Sequence, residues 1–185
     1  MLNIGIVGCG RVFNHYVKIL NKRKEKDFKI AVVCDQKKSL AIKASKIFKC
    51  NFLFDYSLML KNYTNKLDLI IILTPSGDHF KHSLLALKNG FNVLCEKPAT
   101  MIPEDAIKLN KLALKNKLIF GIAFQNRFNK SVSSLKKLFE KKKFGKILVV
   151  NIRLLWSRYQ NYYNDEWHGR WKADGGVTNQ QAIHH

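Results

Sequence analysis

Residues 67–98 read LDLIIILTPSGDHFKHSLLALKNGFNVLCEKP, and the way this stretch folds decides the architecture of the chain. Leu67 to Leu73 is an apolar run interrupted only by Asp68, as expected of a parallel strand covered on both faces. An amphipathic helix follows, with Phe80, Leu84 and Leu87 on one face, Lys81 and Lys88 elsewhere, and Gly90 as its stop signal. Phe91 to Cys95 then returns to the sheet. Crossovers of this kind are right-handed, so Thr74-Pro75 and Glu96-Lys97 arrive at the same sheet edge. Open α/β sheets bind ligands at that edge, which is where chemistry is expected.

The N-terminal part repeats the pattern. Leu2 to Val7 is a strand, Gly8-Cys9-Gly10 a glycine turn, and Val12, Tyr16 and Ile19 share a face of the helix that follows. Glycines there permit a tight turn and close backbone approach, so a pyrophosphate can rest on amides at the helix N-terminus. Phe13 stands where such turns usually carry Gly or Ala for helix–strand packing, and an ordinary βα turn would read the same way. The next strand, Phe28 to Cys34, ends at Asp35, a carboxylate placed to accept hydrogen bonds from an adenosine ribose. It would repel a 2′-phosphate, favouring NAD; Lys37 and Lys38 could offset that repulsion, so NADP stays open. Leu40, Ala44 and Ile47 give the helix Lys37 to Phe48 a buried face, with a short strand at Asn51 to Phe54 and a helical turn at Tyr56 to Leu60.

Beyond residue 98, Pro103 with Glu104 and Asp105 opens a helix to about Asn116, and Leu118 to Phe124 is a further buried strand. Asn129 can cap a helix running to Phe144, with Val132, Leu135 and Phe139 inward and Gly145 as its stop. The period then changes. Val150, Ile152, Leu154 and Trp156 alternate with polar residues, as in a half-exposed strand, so a second sheet is expected to begin there. This divides the chain into a domain at 1–124 and the beginning of another at 125–185.

With 185 residues and 46% hydrophobic content the chain can bury a real core. Its net charge of +20 suggests nucleic acid, but the lysines are scattered over every helix and no binding motif accompanies them, so they read as solvated faces. Leu2 to Val7 is too short for a membrane span, and no targeting segment is visible. Cys9, Cys34, Cys50 and Cys95 show no C-x-x-C spacing; a reduced, cytoplasmic protein without a metal site is expected.

Taken together these residues resemble the Gfo/Idh/MocA family of NAD(P)-dependent oxidoreductases across essentially the whole chain. The resemblance is carried by Gly8-Cys9-Gly10, Thr74-Pro75 with His79, Glu96-Lys97-Pro98, Trp167-His168-Gly169-Arg170-Trp171, and Asp174-Gly175-Gly176 leading to His184. It implies an α/β fold: a Rossmann-type parallel sheet with helices on both faces, then the start of a second α/β domain with an open, mainly antiparallel sheet. It also implies hydride transfer between a nicotinamide cofactor and a hydroxyl-bearing carbon of a sugar, nucleotide sugar or cyclitol. By resemblance Gly8, Gly10, Arg11, Val12, Asp35, Thr74, Pro75, His79 and Glu96 fall on cofactor-side positions. Lys97 falls on the active-site lysine, which also borders the cofactor. His184 falls on the catalytic histidine, and Gln180 stands where the family often has Asp.

The chemistry has its own logic. Hydride leaves a carbinol carbon only as the hydroxyl proton is lost, so a base titrating near neutrality helps, and His184 suits that role. A cation beside the oxygen stabilises alkoxide character, which Lys97 can supply. Gln180 can orient a substrate or the imidazole but cannot carry a proton. His185 is a rival base; one helical step turns it about 100° from His184, so only one should face the site. His15 and His82 read as surface or packing residues. Arg127, Arg158, Arg170, Trp156, Trp167 and Trp171 are candidate contacts to an anionic sugar, each of them singly explicable as a solvated arginine or core tryptophan.

Members of the resembled family continue well past this point, so the chain is expected to be a C-terminally truncated version with Val150 to Trp156 poorly stabilised. It should bind NAD yet turn over weakly or not at all; a homo-oligomer is expected for a full-length version and doubtful for this chain. The alternative is a non-catalytic dinucleotide-binding module.

Overall fold

A computed structural model describes residues 1–22, 27–165 and 167–184. Its strands are β1 (Leu2–Val7), β2 (Phe28–Cys34), β3 (Asn51–Leu53), β4 (Leu69–Ile72), β5 (Asn92–Cys95) and β6 (Phe120–Ile122). They pair in parallel as one six-stranded sheet in the order β3-β2-β1-β4-β5-β6. The order reverses between β1 and β4, and at such a switch point the loops diverge and leave a crevice beyond the strand ends.

The apolar run that opened the reading is covered on both faces. Ile70 and Ile72 pack with Ala86, Leu87 and Leu109 on one side, while Ile71 and Leu73 join Ile4, Ile6, Phe13 and Val33 on the other. Helices α1 (Phe13–Lys22) and α2 (Lys38–Phe48) cover the second face. The first is covered by α3 (Tyr56–Asn62), α4 (His79–Lys88) and α5 (Pro103–Lys115). Each fully buried Leu or Ile contributes about 1.5–3 kcal/mol, so this two-sided burial is what the sheet stands on.

Several packing expectations are corrected. Val12 and Ile19 are exposed; α1 instead buries Phe13, with Tyr16, Val17 and Leu20 against the same cluster. Phe13, Tyr16, Val17 and Leu20 follow the i, i+3, i+4, i+7 spacing of one helical face, which leaves Val12 and Ile19 on the solvent side. Phe13 fills the space that a Gly would leave, meeting Phe48 edge-on at 5.8 Å between ring centroids. In α2, Ile47 is exposed and Ala41 and Ala44 are buried, because small side chains let this helix lie close to the sheet.

The sheet expected to begin at Val150 is not observed. No second sheet forms among the described residues: residues 146–159 hold neither strand nor helix, and Leu148, Val149 and Leu155 stand more than four-fifths exposed. An alternating segment makes a strand only when a partner takes its backbone hydrogen bonds, and none lies alongside among the described residues. Helix α6 (Lys130–Glu140) forms, yet Val132, Leu135 and Phe139 are exposed rather than inward for the same lack of a covering layer. The remaining chain forms short helices α7 (Gln160–Tyr163), α8 (Trp171–Asp174) and α9 (Gly176–Gln180) and a 3-10 turn, Ala182–His184. No described helix is long and apolar enough to cross a membrane.

Candidate active site

The glycine turn is shaped by two different demands. Gly8 has φ 90°, and a Cβ there would lie 2.6 Å from the carbonyl carbon of Leu73 and 2.7 Å from the amide nitrogen of Thr74, so only glycine lets β1 and β4 end this close together. A Cβ on Gly10 would meet nothing within 4 Å. Its backbone faces open space at the sheet edge, as close approach of a pyrophosphate requires. Asp35 secures the turn: Oδ2 accepts the Cys9 N–H at 2.7 Å and Oδ1 accepts the Lys37 N–H at 2.8 Å. The residues present therefore fit a dinucleotide, which the open backbone at Gly10 and the carboxylate of Asp35 would hold.

Thr74 and Pro75 lead β4 into a 3-10 turn at Ser76–Asp78. His79 is 1% exposed; its Nε2 faces the Thr74 carbonyl at 2.8 Å and its Nδ1 the Pro98 carbonyl at 2.6 Å. The expected cofactor-side histidine thus joins the two strand-end loops, with both nitrogens on protein backbone. Burial holds its pKa below 6.5, against the opposing pull of the two carbonyls and of Glu96 and Asp78. His82 is a packing residue, its Nδ1 3.0 Å from the Thr74 hydroxyl and its ring edge-on to Tyr56.

Glu96 and Lys97 follow β5, with a cis peptide between Lys97 and Pro98. The Glu96 carboxylate accepts the Tyr16 hydroxyl at 2.9 Å and the Lys97 N–H at 3.1 Å. Burial and then the Glu96 charge push the Tyr16 phenol up, so it remains a donor. The Lys97 ammonium donates to the main-chain oxygen of Gln180 at 2.5 Å and to its side-chain oxygen at 3.2 Å. Gln180, itself buried, donates through Nε2 to the Ser76 hydroxyl at 3.1 Å. Burial lowers the Lys97 pKa from 10.5, opposed by the carboxylates of Glu96 and Asp174. His184 lies in the turn after α9, its N–H donating to the Gln181 carbonyl at 3.3 Å. His185, the rival base, lies outside the described residues.

The segment from α7 to α9 lies across this edge. Arg11 Nη2 donates to Asp165 at 3.2 Å, and its guanidinium covers the Tyr162 ring at 5.4 Å. Asp165 also accepts from the His168 N–H at 2.8 Å, the Trp167 N–H at 3.2 Å and the His168 ring. Desolvation pushes the Asp165 carboxyl up, but these donors outweigh it and leave the group below 3.8. Asp174 Oδ2 accepts the Gly169 N–H at 2.8 Å. A Cβ on Gly77 would lie 3.0 Å from the Lys172 carbonyl, which measures how closely α8 sits on the Ser76–Asp78 turn.

The expected substrate contacts divide. Arg158 stacks over Trp156 at 4.6 Å and Tyr162 at 5.3 Å, and Trp167 lies on the His168 ring at 3.7 Å. Arg170 caps α8 through its backbone, Trp171 is 78% exposed, and Arg127 stacks on Phe124 at 5.4 Å within its own turn. Val12 is a turn residue whose carbonyl accepts the His15 N–H. Tyr16, Ser76, Tyr162 and Asp165 emerge only from the structure. A tyrosine on the inward face of α1 was the one available signal, since a buried phenol needs a partner. All four cysteines are free, and no cluster of three or more His, Cys, Asp or Glu among the described residues is arranged to hold a metal.

Comparison with known proteins agrees with the parallel Rossmann-type sheet. Residues 2–124 match the family GFO_IDH_MocA, an oxidoreductase family with an NAD-binding Rossmann fold. D-glucoside 3-dehydrogenase of Escherichia coli (strain K12) is 30% identical over 155 residues, which is 83% of this chain and 43% of that protein. The WlbA dehydrogenase of Chromobacterium violaceum, solved with NADH and UDP-GlcNAcA, superposes with a TM-score of 0.93 and 33% identity over 99% of this chain and 52% of its own. The scyllo-inositol dehydrogenase of Lactobacillus casei, solved with NAD(H) and scyllo-inositol, gives 0.70 and 25% identity over 78% of this chain and 42% of its own. The chain spans about half the length of these relatives, or less.

Proposed function

The chain belongs to the oxidoreductase family with an NAD-binding Rossmann fold, and from that membership we propose that it serves a dehydrogenase acting on a hydroxyl-bearing carbon of a sugar-like substrate. The observation that carries this reading is Lys97: a partly desolvated ammonium at the end of β5, aimed at the segment that leads to His184. Nicotinamide, when bound, supplies the hydride acceptor or donor. Lys97 offers a proton to the substrate oxygen, and burial makes that proton easier to share. His184 takes up the carbinol proton, and Gln180 orients Lys97 without carrying charge. Asp35, fixed beside the glycine turn, selects NAD over NADP by repelling a 2′-phosphate.

Among sugar-like substrates an anionic nucleotide sugar is favoured. Arg11 and Arg158 both lie over Tyr162, giving two cations and an aromatic face next to the edge. The likeness to the WlbA dehydrogenase over 99% of this chain supports the same class. Turnover by these residues alone is expected to be weak, because the apolar faces of residues 146–156 and α6 are uncovered.

The test is a titration of the purified chain with NADH, followed by hydride transfer from UDP-GlcNAcA to NAD in a version carrying the family's remaining length. Binding lost in Asp35→Ala and turnover lost in Lys97→Ala and His184→Ala are the expected results. A version of the relatives' full length that binds NADH but transfers no hydride from UDP-GlcNAcA, scyllo-inositol or methyl D-glucoside supports the second reading, a non-catalytic dinucleotide-binding module. Gln180 in place of a proton-carrying Asp is the observation favouring that alternative.

A further inference from the structure

Each half of the sheet ends in a carboxylate, and the two are held alike. β1 and β2 lie on one side of the switch point, β4 and β5 on the other. Asp35 follows β2; its N–H donates to the Leu53 carbonyl at 3.2 Å, and its two oxygens accept the N–H groups of Cys9 and Lys37. Glu96 follows β5; its N–H donates to the Ile72 carbonyl at 3.0 Å, and its two oxygens accept the Tyr16 hydroxyl at 2.9 Å and the Lys97 N–H at 3.1 Å. In both cases one donor comes from the segment that follows β1 and the other from just downstream of the carboxylate.

Tyr16 is the member of this set that only a side chain can supply. Its bond to Glu96 joins positions 80 residues apart and reaches from the helix after β1 to the end of β5, with β4 between them. The ring is steadied by its own helix, since Phe13, Val17 and Leu20 pack in the same cluster. Tyr16 and Glu96 are both half-buried, so the carboxylate keeps an open side. Each carboxylate oxygen can accept about two hydrogen bonds, and the described residues give each Glu96 oxygen one. A ligand hydroxyl can take what is left.

We propose that Tyr16 is a positioning residue: it fixes the Glu96 carboxylate to accept the ribose hydroxyls in the nicotinamide half of a bound dinucleotide, as Asp35 serves the adenosine half. This rests on the dinucleotide-binding part of the reading above. Dinucleotides lie across a switch point with one mononucleotide on each half of the sheet, which matches one pinned carboxylate to each ribose. Without the phenol, Glu96 retains only the N–H of its neighbour, and binding must then order a side chain that is free to rotate.

The test titrates the chain with NADH and with ADP, which lacks the nicotinamide half. Tyr16→Phe removes one oxygen and leaves the ring in its cluster; it should weaken NADH roughly 3- to 10-fold, the effect of about one hydrogen bond, and leave ADP unchanged. Glu96→Ala should weaken NADH at least as much, and adding Tyr16→Phe to it should cost nothing further. Unchanged NADH affinity in Tyr16→Phe overturns the assignment while leaving the dinucleotide reading in place. Equal losses of NADH and ADP also overturn it, because a general loosening of α1 would act on both, as does a further loss in the double variant. Should Tyr16→Phe not fold, Glu96→Ala decides: a loss confined to NADH supports the assignment, and no loss overturns it. Wild-type protein that binds neither nucleotide removes the dinucleotide reading and this assignment with it.

Discussion

Lys97 and Gln180 are joined twice, through the main-chain oxygen at 2.5 Å and the side-chain oxygen at 3.2 Å, across 83 positions of sequence. Because an amide carries no charge, burial still lowers the Lys97 pKa below 10.5. The unfolded chain then binds that proton more tightly than the folded one, so this ammonium costs stability at neutral pH, and the cost disappears as pH rises toward 10.5. Gln180→Glu puts a carboxylate where the amide oxygen is and should raise the Lys97 pKa. Competitive acetylation of Lys97 against pH, read by mass spectrometry, should show its midpoint moving upward; an unmoved midpoint would contradict the contact.

Gly8 and Gly10 should separate stability from binding. Gly8→Ala meets backbone at 2.6 Å with φ at 90°, so a loss of roughly 2–5 kcal/mol is expected from strain and overpacking together. Gly10→Ala meets nothing within 4 Å and should melt within about 1 kcal/mol of wild type, while NADH affinity falls because the methyl occupies the approach to the turn. Thermal melts and NADH titrations of both variants distinguish these outcomes.

Acid should weaken the fold through two histidines. Burial lowers the pKa of His79 and of His82, so the unfolded chain takes up their protons first. Their contribution is fully present above 6.5 and is lost as pH falls through the lower folded values. Urea midpoints should fall between about pH 7.5 and about pH 5. His82→Gln keeps an acceptor for the Thr74 hydroxyl but cannot titrate, so its midpoint should fall less over the same range.

Arg11 and Asp165 form an unequal pair. The Arg11 side chain is 58% exposed, and an ion pair of that kind is worth less than about 1 kcal/mol, so Arg11→Ala should scarcely move the melting temperature. Asp165 also takes the N–H groups of Trp167 and His168, so Asp165→Ala should open residues 159–170 to limited proteolysis while Arg11→Ala does not. Equal cleavage in both variants would contradict this division.

Residues 146–156 should bind a hydrophobic dye. Leu148 and Leu155 are 81% and 86% exposed in a run of apolar residues, a patch that soluble surfaces rarely leave open. Leu148→Lys with Leu155→Lys should lower ANS fluorescence and raise solubility without changing NADH affinity, since this run forms no part of the sheet edge.

The parallel sheet and its ligand edge were determined by sequence alone, because local rules decide them. An apolar run covered on both faces, a helix with one buried stripe and a glycine turn are each contained within a short window, and Gly8, Asp35, Thr74 and Lys97 inherit their places from strand ends. The limits of that legibility are physical. Val150 to Trp156 has a strand's period, but a strand also needs a neighbour for its backbone, and no local pattern can supply one. Phe13 was ambiguous until Phe48 gave it a packing partner. Only tertiary structure decided that Tyr16 holds Glu96, that Gln180 takes the Lys97 ammonium, and that Asp174 keeps one buried oxygen unpaired. Those contacts join side chains far apart in sequence, and their energies depend on removing water from both partners at once, which happens only when the whole edge is assembled.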